Sequence, residues 1–292
     1  MRPKACRAEA GIPELPEVET VKRQLAEAVT HLRFAVVEAI EPAMLRDTTE
    51  EQLRTELPGR TIVHVGRLGK FLLLKMDGQR HLHLTLHLGM TGQILVTPYG
   101  KVQAGADGPH TRFVFKLVKD DGTFARFEFR DIRKFGRVHL TGNGPAPKLR
   151  DLGPDAWIGD WDTRYLKHRL RGRRAPIKAF LLDQRNLAGI GNIYADEILW
   201  WAELAPLRPC GTLTAEEVAR LAAEIRLTLE EGVRRLGCTV ADFVDIEGRP
   251  GGFQERLRAY GRQGQDCVRC GEKIIRVIIA GRGTGYCPGC QR

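Results

Sequence analysis

The sequence predicts an α+β protein with a strand-rich first half forming an antiparallel β-sandwich or sheet, a helical second half and a metal-held β-hairpin at the C-terminus. Three observations carry this. Leu82, Leu84, Leu86 and Leu88 alternate with His81, His83, Thr85 and His87, the period-two pattern of a half-buried strand. Val218, Leu221, Ile225, Leu229 and Val233 recur at helical spacing behind the capping box Thr214-Ala-Glu-Glu217, which marks an amphipathic helix of about five turns. Four of the seven cysteines form two pairs, Cys267-x2-Cys270 and Cys287-x2-Cys290, sixteen residues apart.

The elements follow in order. Val18, Val21, Leu25 and Val29 lie at helical spacing behind Pro16 and the early carboxylates Glu14, Glu17 and Glu19, so one helix opens the fold. Phe113 and Phe115 before Asp121-Gly122, and Phe127 and Phe129 after it, predict a hairpin turning at Asp-Gly. Composition then shifts at Thr141-Gly-Asn-Gly-Pro-Ala-Pro147, a run of turn formers and the expected linker. Residues 161–178 carry seven Lys/Arg and one acid ahead of Gly189-Ile-Gly-Asn192. A charge run alone is more often a solvated face, but next to a helix N-terminus it predicts a phosphate site. The stretch Asp245 to Phe253, with three glycines and a proline, predicts a mobile loop.

The chain has 292 residues, with 46 Lys+Arg against 36 Asp+Glu for a formal charge of +10. That balance favours a polyanionic partner, nucleic acid ahead of anionic lipid. No apolar run reaches bilayer-spanning length and residues 1–12 lack the apolar core of a signal peptide, so a cytoplasmic protein is expected. In a reducing compartment the two cysteine pairs match a four-thiolate structural zinc site, each short pair forming a knuckle that points two sulfurs at one ion. Between them lies a β-branched segment and Gly281-Arg-Gly-Thr-Gly285, hence a hairpin with Arg282 at its tip. Eight Lys/Arg against three acids over 255–292 suit a nucleic-acid backbone. A zinc clip for protein contact would use the same cysteines.

Six blocks then resemble one family in its own order. They are Pro13-Glu-Leu-Pro-Glu-Val-Glu19, His87-Leu-Gly-Met-Thr-Gly92, Arg130-Asp-Ile-Arg-Lys-Phe-Gly136, Gly191-Asn-Ile-Tyr-Ala195, Tyr260-Gly-Arg262, and Gly281-Arg-Gly-Thr284 with Cys287-Pro-Gly-Cys-Gln291. The chain resembles the formamidopyrimidine-DNA glycosylases, bacterial base-excision enzymes. The resemblance implies an N-terminal β-sandwich with a flanking helix, a helix-two-turns-helix module and a β-hairpin zinc finger. It also implies excision of oxidised purines (8-oxoguanine and formamidopyrimidines) from double-stranded DNA, cleavage of abasic sites by β,δ-elimination, one structural Zn²⁺ and a monomer on DNA.

By the same resemblance Pro13 is the nucleophile and Glu14 the acid that assists sugar-ring opening, while Lys70 and Arg282 hold phosphates beside the reacting nucleotide. Lys178 and Asn192 are further phosphate clamps. Met90, Arg133 and Phe135 resemble residues that fill the gap left by an extruded base, and His110 joins the DNA-contacting set. Chemistry favours a terminal proline, since an α-amine titrates near 8 against about 10.4 for lysine and is far more often neutral at pH 7. The 245–253 loop lies where the family covers the everted purine, Glu17 matches a glutamate near the base pocket, and His87 supports the site.

The resemblance implies domains at 13–143, 144–246 and 247–292, with residues 1–12 as an extension. While that extension remains, Pro13 nitrogen is an amide without a basic lone pair. Isoleucine codons differ from AUG only in the third base, so translation is expected to start at Ile12, read as Met and removed. Ile132 stands where the family commonly has proline, and Lys134 where it has arginine. A sister reading is the endonuclease VIII type, which prefers oxidised pyrimidines; Leu15 and the Met90, Arg133, Phe135 set favour purines. A reading from another class is a non-catalytic damage binder.

Overall fold

The computed structural model describes residues 12–98, 108–142, 144 and 146–292. Residues 1–11, where most of the expected extension falls, lie outside the described residues.

The opening helix α1 (Leu15–Val29) is followed by β1 (Arg33–Ala39), α2 (Glu50–Glu56), β2 (Ile62–Leu68), β3 (Phe71–Met76), β4 (Leu82–His87), β5 (Gly92–Pro98), β6 (Thr111–Val118), β7 (Phe124–Asp131) and β8 (Arg137–Gly142). The strands form two antiparallel four-stranded sheets, ordered β1-β6-β7-β5 and β2-β3-β4-β8. Alternation decides which side chains meet between them. Leu72 and Leu74 of β3, Leu82, Leu84 and Leu86 of β4, and Phe113, Phe115, Phe127 and Phe129 of the β6–β7 hairpin join one buried core, the inner faces of a sandwich. The hairpin turns at the expected Asp121-Gly122, with Thr123 N–H bonded to Asp121 Oδ1 at 2.8 Å.

The second half holds α3 (Thr163–Leu170), α4 (Ile177–Leu182), α5 (Asn192–Trp201) and α6 (Ala215–Arg234) around a second core. The Thr214 hydroxyl accepts the Glu217 N–H and the Glu217 carboxylate accepts the Thr214 N–H, so the capping box starts α6 where the sequence placed it. The chain ends in the antiparallel hairpin β9 (Ile275–Ile279) and β10 (Arg282–Tyr286). Among the described residues no helix is long and apolar enough to cross a membrane.

Helix α1 belongs to both halves. Val18, Val21, Leu25 and Val29 pack into the sandwich core, whereas Leu15, at the first turn, packs into the helical core. The N-terminus of α1 is therefore held at the seam of the molecule.

Candidate active site and zinc finger

The start of α1 carries Glu14 as its N-cap residue and then Glu17 and Glu19, and all three are buried. A buried carboxylate needs partners, and Glu14 finds them 177 residues away. Its oxygens accept N–H groups of Gly191 at 2.7 Å, Ile193 at 2.8 Å and Tyr194 at 3.3 Å, so Glu14 caps α5 from another element. This corrects the phosphate site expected at Gly189-Ile-Gly-Asn192: the anion on these amides is the protein's own.

Lys70, in the turn between β2 and β3, stands beside the same carboxylate. A Cβ built on Gly191 would lie 2.4 Å from Glu14 Cδ and 2.6 Å from Lys70 Nζ, so glycine is what lets the three meet. Burial raises the Glu14 pKa against the opposing pull of Lys70 and the three amides. Burial lowers that of Lys70, opposed by Glu14 and Glu17 and assisted by Arg282. Glu17 is pushed up to about 7 by burial and by Glu14. Its carboxylate accepts the Glu14 N–H at 2.8 Å, the Tyr194 hydroxyl at 2.9 Å and the Cys238 N–H at 2.6 Å, which fixes the backbone one residue after Pro13.

These groups open on a cleft of about 520 Å³ lined by Ile12, Glu14, Lys70, His87, Asn192 and Arg282 among others. Lys148 and Arg185 add to its positive rim. Pro13 is buried and lines a small adjoining recess with Glu17, Cys238 and Phe243, and Ile12 borders both spaces. His87 is held neutral, its pKa lowered to about 4 by burial and by Lys70, and its Nδ1 accepts the Gly89 N–H at 3.1 Å.

Of the other expected residues, Asn192 donates to the Gly283 carbonyl at 3.0 Å, and Arg282 is exposed where β10 begins. Lys178 departs from its expected part as a phosphate clamp. It has no exposed surface and is ion-paired to the buried Asp196 at 2.6 Å, with the Thr284 hydroxyl at 2.7 Å and the Gly283 carbonyl at 3.2 Å. As placed, it braces the hairpin against α5. Met90, Arg133 and Phe135 come together on a separate exposed ridge: the Arg133 guanidinium lies 4.6 Å from the Phe135 ring centroid and 3.5 Å from Met90 Sδ. His110 is exposed, and its carbonyl accepts the Asp131 N–H at 2.9 Å.

The 245–253 segment is tied down rather than loose. Asp245 is buried and accepts N–H groups of Glu247 and Arg249 and the Gln24 amide, and Phe253 packs on Tyr194 with ring centroids 4.8 Å apart. Residues 240–243, just before it, border the Pro13 recess.

The four paired cysteines converge, all four sulfurs lying within 4.8 Å of one another. Cys267 and Cys290 sulfurs are 3.8 Å apart, and those of Cys270 and Cys287 3.4 Å. A tetrahedron with Zn–S bonds of about 2.3 Å has edges of about 3.8 Å, so this donor set fits one zinc ion.

The comparisons agree with this geometry. Residues 12–138 match the family model described as the formamidopyrimidine-DNA glycosylase N-terminal domain, residues 152–244 its H2TH domain, and residues 264–292 the zinc finger found in FPG and IleRS. A formamidopyrimidine-DNA glycosylase of Chloroflexus aggregans is 43% identical over 282 residues, covering 96% of this chain and 98% of the relative. The chain belongs to the formamidopyrimidine-DNA glycosylase family. The Moorella thermoacetica glycosylase is 43% identical over 269 residues, 91% of this chain and 94% of its own length. Among solved structures, a Lactococcus lactis FPG mutant in complex with a Fapy-dG containing DNA superimposes with a TM-score of 0.86 at 32% identity, covering 96% of this chain and all of the other. A complex of the Lactococcus lactis protein with an abasic site containing DNA gives 0.84 at 32% identity, covering 96% and 99%. Family membership accounts for the zinc finger and the two-core fold.

Sequence reasoning missed Tyr194, Asp131 and the Arg67–Asp155 pair. Their significance lies in contacts between distant segments, for which no local pattern exists.

Proposed function

We propose that this chain is a DNA glycosylase of oxidised-base repair with an associated abasic-site lyase activity, in which Pro13 is the nucleophile once it is N-terminal. What carries the reading is one positive cleft in which Glu14, adjacent to Pro13, meets Lys70, Asn192 and Arg282 from three other parts of the chain. Pro13 nitrogen attacks C1′ of the damaged nucleotide and the base departs with a proton. Glu14 then protonates the ring oxygen, opening the sugar to a cationic iminium that draws electrons during loss of the 3′ and then the 5′ phosphate. Burial raises the Glu14 pKa above the ordinary carboxylate value, so the carboxylate can take up a proton during the reaction and pass it to the ring oxygen. Lys70, Asn192 and Arg282 hold the flanking phosphates. Zinc is structural and takes no part in the chemistry.

Leu15 and the Met90, Arg133, Phe135 set favour oxidised purines. A Lactococcus lactis neighbour is also described in complex with an oxidized pyrimidine containing DNA, so release of modified bases from irradiated DNA, compared between purines and pyrimidines, measures the preference. The same reading makes the protein a cytoplasmic monomer working on chromosomal DNA.

The test is borohydride trapping on abasic DNA. Protein beginning at Pro13 gives a covalent adduct, and protein with one residue added before Pro13 gives none. Equal trapping by both forms, or none by either while DNA binding persists, removes Pro13 from the mechanism.

A further inference from the structure

Asp131 ends β7 and is fully buried. Its Oδ1 accepts the Thr91 hydroxyl at 2.5 Å and the Arg133 N–H at 3.0 Å, while Oδ2 accepts the Gly136 N–H at 2.7 Å. Thr91 Oγ1 also accepts the Arg133 N–H, at 3.2 Å. The main chain of Asp131 binds a third segment. Its N–H donates to the His110 carbonyl at 2.9 Å and its carbonyl accepts Arg112 Nε at 2.7 Å.

One carboxylate thus joins the β4–β5 turn, which carries Met90, to both ends of the 132–136 loop, which carries Arg133 and Phe135. The backbones of the two loops are in direct contact, since a Cβ on Gly89 would lie 2.6 Å from both Gly136 N and Phe135 C. Between the bonded ends, Lys134 turns the chain at φ +56° and pairs with Glu41 at 2.6 Å. The exposed side chains have little of their own to hold them beyond the Arg133–Phe135 stack and the contact with Met90. Their common geometry comes from the buried group beneath.

We propose that Asp131 is a positioning residue that sets Met90, Arg133 and Phe135 as a single rigid probe for the gap in a damaged duplex. This rests on the functional reading above only in taking that ridge as the surface that enters duplex DNA. A wedge must displace stacked bases, and side chains on two loops free to move apart would fold away instead of holding the stack open. A carboxylate suits the task because it offers acceptors only, and three N–H or O–H donors converge on it. The isosteric amide cannot serve, since its NH₂ would face one of those donors.

The experiment needs no free nucleophile and uses the full chain. It compares wild type, Asp131→Asn and the milder Thr91→Val on a duplex holding a tetrahydrofuran abasic analogue with 2-aminopurine in the opposite strand, and on the analogue-bearing strand alone. Wild type changes the 2-aminopurine fluorescence. Both variants lose this response and roughly tenfold in duplex affinity, while affinity for the single strand, which has no stack to open, stays within about twofold. An unchanged duplex response in the variants, or equal losses on duplex and single strand, overturns the proposal. If Asp131→Asn melts too low to assay, the same selective loss in Thr91→Val decides. A wild-type chain that leaves the fluorescence unchanged overturns the assignment of the ridge itself, whereas failure at Pro13 shows separately in borohydride trapping.

Discussion

At the scale of single residues, the site depends on carboxylates kept away from water. Glu17 is the clearest case. With its pKa raised from 4.5 to about 7 by burial and by Glu14, the folded state binds its proton more tightly than the unfolded state does. Glu17 therefore adds no penalty below about pH 4.5, costs progressively more as pH rises to about 7, and is constant above. Each pKa unit corresponds to about 1.4 kcal/mol, so the full swing is on the order of 3 kcal/mol. In urea titrations from pH 4.5 to 8, wild-type stability is expected to decline relative to Glu17→Gln by that order. The slope is what tests the assignment, because an amide adds only a constant difference. Parallel profiles for the two proteins would mean that Glu17 titrates in the folded state as it does in the unfolded chain.

Among the elements, α5 shows how a helix end can be used twice. Its first amides need an acceptor, and Glu14 supplies one while being held where it can act on a substrate. Gly191 makes the approach possible. In Gly191→Ala the new methyl would overlap Glu14 and Lys70, so one of them must move. We expect trapping on abasic DNA to fall by about two orders of magnitude, as a misplacement of about 1 Å does in other active sites, with a melting temperature near that of wild type. Retained activity in this variant would show that the closeness of Glu14, Lys70 and the α5 N-terminus is not required. The zinc hairpin is an element of the same kind, since Asn192 and Lys178 both bond to Gly283 and so tie the Arg282 tip to α4 and α5.

Across the whole molecule the question is how two cores are kept in register. Beyond α1, one connection is Arg67, whose guanidinium pairs with Asp155 at 2.5 Å and with Glu19 at 2.9 Å, all three side chains being buried. Asp155 also accepts the Gly69 N–H at 3.0 Å, one residue before Lys70, so the link between halves also orders the cleft. Removing one member of a buried ionic cluster leaves uncompensated charge and costs about 3–5 kcal/mol. Arg67→Ala is therefore expected to lose stability of that size in urea denaturation. A loss under about 1 kcal/mol would show that the cluster does not stabilise the fold, since that is the range of exposed pairs.

Much was legible in the sequence because the signals are local. Alternating leucines, the Thr214 capping box, the Asp121-Gly122 turn and the cysteine pairs each specify their element within a few residues, and the structure has all of them where they were read. The candidate site residues were legible only through the resemblance of short blocks. Read alone, Pro13 and Glu14 are a helix start and Lys178 is one more cation in a basic run. Tertiary structure decided that Glu14 caps α5 across 177 residues, that Lys178 is buried against Asp196, and that Asp131 joins three segments. A sequence repeats every two or 3.6 residues to satisfy its own backbone and bury one face, and that pattern can be read from neighbours. A buried charge is satisfied by whatever the fold brings to it, and the identity of that partner is written nowhere near it in the chain.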